Sequence, residues 1–283
     1  MTKPGAILDG RKIAAKALAQ AAKKIELLKK SGAILTLATV QAGGAKDAAL
    51  YSQSLDKLLK KVGIEHIPSV SGQTISEPAL CGKIAALNED PMVTGIMVFA
   101  PLPKHLNAAT VLGSIDQLKD VEGRTFMKSH FGVFSPTANA VMSLLETSGV
   151  NPAGKEAVVI GHSDLVGKPT AILLLDRMAT VTVCHAKTAA LKEKVEKADI
   201  VVAAAGKPEL VKGGWIKPGA VVIDVGENSV NGELVGDVEF EKAKKRASFI
   251  SPVPGGVGPL TNVMLIQNLL RLYSLRNLKN GNN

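Results

Sequence analysis

Short runs of valine, isoleucine, leucine and alanine alternate with lysine-rich segments along almost the whole chain. The apolar runs are continuous and brief, which is typical of strands that are buried on both faces of a parallel sheet. The lysine-rich segments between them carry apolar residues at helical spacing. The pattern predicts an α/β protein with strands at AILTLATV, HIPSV, GIMVFA, EAVVIG, TVTVCH, DIVVAAAG and AVVIDVG.

One predicted helix covers residues 49–63, ALYSQSLDKLLKKVG. Tyr51 lies one turn before Leu55, and residues four apart are neighbours on a helix. The sequence therefore predicts an amphipathic helix on which a tyrosine and a leucine share one face. The apolar positions at helical spacing are Leu50, Leu55, Leu58, Leu59 and Val62.

The two halves of the chain differ, which predicts two α/β domains. In the second half short strands follow one another closely, as in a Rossmann-like, doubly wound parallel sheet. The boundary falls near the helix TANAVMSLLETSG, which Gly149 ends. The last helix, NVMLIQNLLRLYSL, has no strand after it and is expected to pack back on the first domain. The predicted domains are residues 1–140 with 262–283, and residues 141–261.

Composition and charge narrow the class of protein. Of the 283 residues 46% are apolar but only 3% are aromatic, so the core is predicted to be aliphatic. The formal charge is +9, yet the lysines are spread over separate amphipathic helices without flanking aromatic residues. This arrangement favours attraction of anionic small molecules over binding of nucleic acid. The chain has no run as long as a membrane span and no signal-peptide pattern, so we expect a cytoplasmic protein without membrane contact.

The two cysteines, Cys81 and Cys184, lie far apart and lack the spacing of a metal site. They are expected to be reduced thiols that serve packing, as in cytoplasmic proteins. No metal site is predicted.

The segment GHSDLVGKP, residues 161–169, follows the predicted strand EAVVI. Gly161 lets the chain turn sharply, Ser163 can offer its hydroxyl and N–H to a phosphate, and Gly167 lets helix and strand approach. The spacing departs from G-x-G-x-x-G, so this loop alone fits an ordinary strand-to-helix turn equally well. The later strands each end in glycine or polar residues, which favours a dinucleotide site beyond their carboxyl ends.

Longer motifs extend this pattern. The second half contains VVIGHSDLVGKPTAILLL, ATVTVCHAKT, ADIVVAAAGKP, GAVVIDVG and PVPGGVGPLT, and the first half contains ILDGRKIA, APLPKH and KDVEG. In this order, from Leu8 to Leu272, the motifs resemble the methylenetetrahydrofolate dehydrogenase/cyclohydrolase family. The resemblance implies an N-terminal folate-binding domain, a C-terminal Rossmann domain for NAD or NADP and a cleft between them. It also implies a tetrahydrofolate one-carbon substrate and a homodimer.

The resemblance implies that the cofactor is bound by the loops of the second domain. The implied residues are Gly161, His162, Ser163, Val166, Gly167, His185, Lys187, Ala205, Gly206, Gly226 and Gly256. In NADP-dependent members of the family, an arginine and a serine hold the 2′-phosphate, and His162 and Ala186 occupy those positions here. The strand TVTVC also lacks the acidic residue that binds a free ribose 2′-hydroxyl, and Lys187 is a candidate phosphate ligand. These residues favour NAD slightly, and NADP stays open.

On the substrate side, the resemblance implies that Tyr51 stacks on the folate and that Asp120 hydrogen-bonds the pterin ring. These two are the predicted catalytic residues. Without the resemblance, Asp120 would be an ordinary surface aspartate. Further implied substrate contacts are Pro101, Leu102, Pro259 and Thr261.

Two catalytic positions of the family are replaced. The motif Tyr-x-x-x-Lys places its acid/base lysine at Leu55, and Phe99 replaces the glutamine that tunes this lysine. Lys57 and Lys60 point away from Tyr51, since a helix turns by about 100° per residue. Hydride transfer mainly requires position and orientation, whereas hydrolysis of the methenyl ring requires proton transfer. We therefore predict a dehydrogenase that has lost the cyclohydrolase activity.

Two alternatives stay open at the level of sequence. One is a bifunctional enzyme with an unrecognised acid/base group, and the other is a catalytically silent paralogue that binds folate or nucleotide. Tyr51, Asp120 and the intact glycine loop argue against the silent paralogue.

Overall fold

The structure, a computed structural model, describes residues 5–44, 46–125 and 132–280. Its strands are β1 (Ala6–Ile7), β2 (Thr36–Ala42), β3 (Glu65–Ser71), β4 (Gly95–Val98), β5 (Glu156–Ile160), β6 (Thr180–Cys184), β7 (Ile200–Ala203), β8 (Val221–Asp224), β9 (Asn228–Val230), β10 (Glu233–Val235) and β11 (Phe249–Ile250). Its helices are α1 (Gly10–Lys30), α2 (Lys46–Val62), α3 (Glu77–Glu89), α4 (Ala108–Gly113), α5 (Pro136–Thr147), α6 (Gly167–Leu175), α7 (Leu191–Lys197), α8 (Phe240–Lys244) and α9 (Gly258–Asn280), with a 3₁₀ helix at Gly213–Trp215. Within these ranges no helix has the length and apolarity needed to cross a membrane.

The seven strands predicted from apolar runs are all present, as β2 to β8, which confirms the α/β prediction. The strands β1, β9, β10 and β11 are absent from the prediction because each has only two or three residues. So short a segment cannot establish a periodic pattern.

The described chain divides into two compact units. The six-stranded unit holds the described residues up to Lys16 together with Ser135–Met264. The three-stranded unit holds Ala17–Phe134 together with the described residues from Leu265 onward. The predicted division differs at the start of the chain, which it placed with the first sheet. In the structure β1 pairs with β11, and the N–H of Gly10 donates to the carbonyl of Gly255 at 2.9 Å.

The six-stranded unit contains a parallel sheet in the order β1-β11-β8-β7-β5-β6. Its inner strands β7 and β8 are entirely buried, as expected for a sheet covered on both faces. The chain order reverses between β5 and β7, because β6 lies on the other side of β5. This arrangement confirms the predicted Rossmann-like, doubly wound sheet.

The three-stranded unit contains a parallel sheet in the order β3-β2-β4. Alternate residues of a strand point to opposite faces, so the fully buried β2 serves two apolar clusters. Leu37 joins the cluster that contains α2 and α9, whereas Ala38 and Val40 join the cluster that contains α3. The last helix, α9, belongs to this unit from Leu265 onward and packs in the same cluster as Leu37. Its Asn268 donates Nδ2 hydrogen bonds of 2.8 Å to the carbonyls of Val121 and Phe134.

The predicted amphipathic helix is α2. Leu55 and Leu59 are 0% exposed, as the pattern predicts. Leu50 is 64% exposed, so its assignment to the apolar face is wrong. Five residues along a helix correspond to a rotation of about 140°, which takes Leu50 away from the face of Leu55. Lys57 and Lys60 are exposed, in agreement with the predicted directions.

Candidate functional site

The reversal point of the six-stranded sheet holds a cavity of about 540 Å³. In doubly wound sheets the loops beyond the carboxyl ends of the strands separate at such a point and leave a crevice for ligands. The cavity is within the usual size range of small-molecule sites, about 300–1,000 Å³. Five of the predicted cofactor residues line it: Gly161, His162, Ser163, His185 and Ala205.

Gly161 and Gly167 are required by close backbone packing. Gly161 follows β5 with φ +129°, and a Cβ there would lie 2.1 Å from the carbonyl oxygen of Ala204. A Cβ on Gly167 would lie 2.1 Å from the carbonyl oxygen of Gly161. Because neither residue has a side chain, β5, the end of β7 and the start of α6 meet backbone to backbone.

The Ser163 hydroxyl caps the start of α6. Its Oγ accepts hydrogen bonds from the N–H of Val166 at 3.2 Å and of Gly167 at 3.5 Å. A hydroxyl that accepts these bonds still has its own proton to donate. Capping of the helix is therefore compatible with the predicted phosphate contact.

The two histidines of the cavity lie side by side. The ring centroids of His162 and His185 are 5.4 Å apart. The N–H of Lys187 donates to Nδ1 of His185 at 3.2 Å, which assigns the proton of a neutral ring to Nε2. The N–H of His185 donates to Oγ1 of Thr188 at 2.8 Å. Lys187 thus orients His185 through its backbone and does not itself line the cavity.

Three charged residues of the cavity were missing from the prediction: Asp164, Lys168 and Lys207. Lys168 Nζ lies 2.5 Å from Asp164 Oδ1. The two lysines suit an anionic ligand, and Asp164 offsets part of their charge. The available signal was a lysine beside a glycine in both GHSDLVGKP and AAAGKP.

Some predicted cofactor residues support the loops without lining the cavity. The N–H of Gly206 donates to Asp237 Oδ2 at 2.9 Å, and a Cβ on Gly226 would lie 2.3 Å from Asp237 Oδ1. Gly256 packs against Gly10, because a Cβ added to Gly10 would lie 1.7 Å from the carbonyl oxygen of Gly256. The predicted residues outside the cavity lining are Val166, Gly167, Lys187, Gly206, Gly226 and Gly256.

A second buried carboxylate, Asp224, ends β8. It accepts hydrogen bonds of 2.9 Å from the N–H groups of Gly226, Asp237 and Val238. Burial raises the pKa of Asp224 to about 6, although these N–H groups act in the opposite direction. The carboxylate holds together the loop after β8 and the segment after β10.

In the three-stranded unit, Tyr51, Leu55 and Phe99 belong to one apolar cluster. Leu55 is 0% and Phe99 8% exposed. The rings of Tyr51 and Phe99 meet edge to face, with centroids 5.8 Å apart and an interplanar angle of 86°. Burial raises the pKa of Tyr51 to about 12, and the Glu122 carboxylate adds to this effect.

The Asp120 carboxylate stabilises the turn formed by residues 120–125. The residue is 1% exposed, and Oδ1 accepts a hydrogen bond from the N–H of Glu122 at 3.2 Å. Oδ2 accepts from the N–H of Thr125 at 2.9 Å and from its Oγ1 at 3.0 Å. These bonds direct the carboxylate into the turn, and its hydrogen bond to the pterin ring stays a prediction.

Glu122 is a carboxylate that the prediction missed. Its side chain is 13% exposed, and both Nε and Nη2 of Arg124 lie 3.0 Å from its Oε2. Burial raises the pKa of Glu122, and Arg124 opposes the shift. Its effect on Tyr51 indicates that the two side chains are electrostatic neighbours. The available signal was a second acid in KDVEG.

The other predicted substrate residues lie at element ends. Pro101 is exposed beyond β4, and Leu102 packs on the cluster that contains α3. Pro259 and Thr261 lie in the first turn of α9, where Thr261 Oγ1 donates to the carbonyl of Gly258 at 2.9 Å. The hydrogen bond of the Thr261 hydroxyl therefore lies within the helix.

The reversed parallel sheet and its glycine-bounded cavity define a two-unit α/β protein of the dinucleotide-binding class. Comparison with family models identifies the family. Residues 8–122 match the catalytic domain of tetrahydrofolate dehydrogenase/cyclohydrolase, and residues 135–277 match its NAD(P)-binding domain. The chain therefore belongs to the tetrahydrofolate dehydrogenase/cyclohydrolase family, which confirms the resemblance seen in its motifs.

Individual relatives agree with this assignment. "Bifunctional protein FolD 2" of Geobacter metallireducens is 46% identical over 273 residues, which cover 93% of this chain and 95% of that protein. The bifunctional FolD methylenetetrahydrofolate dehydrogenase/cyclohydrolase of Campylobacter jejuni has a TM-score of 0.92 at 37% identity, covering 95% of this chain and 99% of that one. The Trypanosoma brucei FolD structure, complexed with NADP cofactor and inhibitor, has a TM-score of 0.89 at 36% identity, covering 97% and 99%.

Proposed function

We propose that this protein oxidises 5,10-methylenetetrahydrofolate to the methenyl form, with NAD or NADP as the hydride acceptor. The observation that carries the proposal is the glycine-bounded cavity at the sheet reversal in a chain of this family. The bifunctional names of the bacterial relatives support the same reaction.

The residues around the cavity fit a dinucleotide. The missing side chain of Gly161 leaves room for close approach, the start of α6 and Ser163 suit phosphate, and Lys207 supplies positive charge. When bound, the nicotinamide ring supplies the hydride acceptor. The contribution of the chain is to bind and orient the reactants, since hydride transfer requires no residue to remove a proton.

On the substrate side we propose that Tyr51 stacks on the folate. We assign Asp120 the task of holding its turn, because its oxygens accept bonds from Glu122 and Thr125. The more exposed Glu122 is the carboxylate available to the substrate in this proposal. Pro101, Leu102, Pro259 and Thr261 remain proposed contacts of the same ligand.

The test mixes purified protein with methylenetetrahydrofolate and either nucleotide and follows the absorbance of the reduced nucleotide. The reduced nucleotide must form only when both methylenetetrahydrofolate and the oxidised nucleotide are present. It must not form with the Gly161→Val variant. The control Gly214→Ala lies in the same unit at a glycine with no atom within 4 Å of an added Cβ. Absence of reduced nucleotide with both NAD and NADP would contradict the proposal.

We further propose that the lysine-dependent cyclohydrolase step is lost. Leu55, which has no ionisable group, is 0% exposed and belongs to the cluster that contains Phe99. General acid–base catalysis contributes typically about 10²–10⁴-fold, so its loss leaves hydrolysis of the methenyl ring near the spontaneous rate. Accumulation of the methenyl product during turnover supports this proposal. Rapid conversion to the formyl product contradicts it.

A second candidate is the full bifunctional activity, which the names of the relatives favour. It requires another proton acceptor, and Glu122 is the residue to test because it is partly exposed and acts on Tyr51. In that case Glu122→Gln lowers methenyl hydrolysis and spares hydride transfer. If wild type and Glu122→Gln hydrolyse the methenyl form equally slowly, the loss of the cyclohydrolase is supported instead.

We propose a slight preference for NAD over NADP. His162 and Ala186 line the cavity, and neither provides the fixed positive charge that a 2′-phosphate needs. Of the two lysines that line the cavity, Lys168 is paired with Asp164. The measurement is the ratio of kcat/KM for NAD and NADP, and a ratio in favour of NADP contradicts the preference.

We also propose a homodimer in the cytoplasm. The edge strand β6 carries Val183, 40% exposed, and the end of α6 beside it exposes Leu175 and Met178. Free Cys81 and Cys184 are compatible with a reducing compartment. Sedimentation of wild type and Val183→Lys tests the dimer, and cell fractionation tests the location. A monomeric wild type or a secreted protein contradicts the respective part.

A further inference from the structure

Asp237 lies completely buried beneath the loop that follows β7. Its carboxylate accepts hydrogen bonds from three consecutive N–H groups, of Ala205 at 2.5 Å, Gly206 at 2.9 Å and Lys207 at 2.8 Å. Asn228 Nδ2 donates a fourth bond at 2.9 Å. Four donors match the roughly four acceptor positions of a carboxylate, so the hydrogen-bonding capacity of Asp237 is used within the protein.

Two glycines make room for this carboxylate and its neighbour. A Cβ on Gly226 would lie 2.3 Å from Asp237 Oδ1, and a Cβ on Gly236 would lie 2.0 Å from Asp224 Oδ2. The N–H of Asp237 donates to Asp224 Oδ1 at 2.9 Å. The carboxylates of Asp224 and Asp237 therefore occupy closely fitted sites on the segments after β8 and β10.

The loop that Asp237 holds is part of the cavity wall. Ala204, Ala205 and Lys207 line the cavity. The N–H groups of residues 205–207 point to Asp237, so they are not offered to a ligand. The wall presented by this loop is consequently shaped by a residue that does not line the cavity. The hairpin β9–β10 is the connection that returns the chain from β8 to Asp237.

We propose that Asp237 is a positioning residue for the dinucleotide: its carboxylate fixes residues 205–207 in the conformation that the nucleotide requires. The proposal rests on the nucleotide binding proposed above. It assigns Asp237 no contact with the nucleotide and no part in proton transfer.

The test is nucleotide affinity in Asp237→Asn, measured by calorimetric titration of the full chain with NAD and with NADP. The amide replaces one carboxylate oxygen by an NH₂ group that cannot accept the N–H bonds of the loop. Loss of bonds to a charged group corresponds to an increase of about ten- to hundredfold in the nucleotide Kd. The Kd of a folate substrate analogue is expected to stay within about twofold of wild type, since nucleotide positioning alone is disturbed.

Two further measurements separate positioning from general destabilisation. Hydrogen exchange at the amides of residues 205–207 should accelerate in Asp237→Asn. The matched control is Asp199→Asn, in the same unit and outside the cavity lining, where the aspartate accepts bonds from Lys217 and from the N–H of Glu156. It should leave the nucleotide Kd unchanged even though it removes the ion-pair partner of Lys217.

An unchanged nucleotide Kd in Asp237→Asn, together with faster exchange at residues 205–207, would overturn the proposal. If Asp237→Asn does not fold, the nucleotide Kd is measured in Asn228→Ala instead. This variant removes one hydrogen-bond donor to Asp237 and leaves the carboxylate in place. A severalfold increase in nucleotide Kd is then expected, and no increase overturns the proposal. Failure of the wild type to bind nucleotide refutes the proposed function itself, which the wild-type titration reveals separately.

Discussion

The motif resemblance implies that Leu55 and Phe99 replace a lysine and a glutamine of the family, and both side chains are buried in one apolar cluster. A lysine placed alone in this cluster would lose hydration, which lowers its pKa by disfavouring the charged form. A glutamine at position 99 would supply a hydrogen-bond partner for it. We therefore propose that the two replacements are energetically coupled.

We predict that Leu55→Lys alone gives little methenyl hydrolysis and that Leu55→Lys with Phe99→Gln gives more than the two single variants combined. Residues in contact show coupling free energies of about 0.5–3 kcal/mol in double-mutant cycles. Hydrolysis rates of the four proteins measure this coupling. Simple additivity would mean that the two side chains do not act on each other.

Gly161 provides a second prediction at this scale. Gly161→Ala places a methyl group 2.1 Å from the carbonyl oxygen of Ala204, at a φ of +129° that L-residues rarely adopt. We expect at least about a tenfold increase in nucleotide Kd, because the backbone there must shift. Gly214→Ala has open space and should retain wild-type affinity. Equal affinity of Gly161→Ala and wild type in titration calorimetry would refute the requirement for close packing.

At the scale of elements, β8 and its loop depend on a carboxylate with a raised pKa. Burial raises the pKa of Asp224 from its ordinary 3.8 to about 6. Between these values the folded protein holds the proton more tightly than the unfolded chain does. The contribution of Asp224 to stability is thus present below about pH 4 and is lost as the pH rises through about 6.

We therefore predict that Asp224→Asn flattens the pH dependence of the unfolding free energy between pH 4 and 7. Urea unfolding at four pH values in this window measures it. Asp199→Asn is the control, because the hydrogen bond from Lys217 lowers the pKa of Asp199 and keeps it ionised across the window. A wild type whose stability rises with pH more steeply than that of Asp224→Asn would contradict the assigned direction.

Helix α9 depends on Asn268 for its attachment to the loops around Val121 and Phe134. Asn268 is 5% exposed, so its removal takes an Nδ2 donor away from the carbonyl groups of Val121 and Phe134 in a largely buried setting. We predict that Asn268→Ala lowers the free energy of unfolding by about 1–3 kcal/mol, as is usual for such a loss. Asn262→Ala, near the start of the same helix, is a comparison at a less buried position. Denaturant unfolding of wild type and both variants measures the difference, and a midpoint of Asn268→Ala equal to that of wild type would show that the Asn268 bonds contribute nothing.

At the scale of the whole molecule, nucleotide binding should appear as added stability. A ligand at 100 times its Kd stabilises the folded state by about 2.7 kcal/mol when it does not bind the unfolded chain. We predict a rise in the thermal midpoint with NAD, a smaller rise with an equal concentration of NADP, and neither rise in Gly161→Val. Thermal unfolding at fixed nucleotide concentrations tests the order, and a larger rise with NADP contradicts the preference proposed above.

The longer strands and the family could be recognised from the amino-acid sequence alone. The strands β2 to β8 coincide with continuous apolar runs, because a strand that is buried on both faces of a parallel sheet consists mainly of apolar residues. The family motifs are likewise continuous segments, so Gly161, Ser163 and Tyr51 could be singled out before any contact was known. The helical pattern was wrong for Leu50, which is exposed, since apolar spacing alone does not tell which residues lie at the edge of the buried face.

Tertiary structure decided the contacts between distant segments. Asp237 reaches amides 30 to 32 positions earlier, and β1 pairs with β11 across most of the chain. Asp120 turns into its own loop, which leaves Glu122 as the more exposed carboxylate. Local periodicity records only which face of an element is buried. The partner of a buried charge is set by chain topology, and a fully buried aspartate and a surface aspartate look the same in sequence.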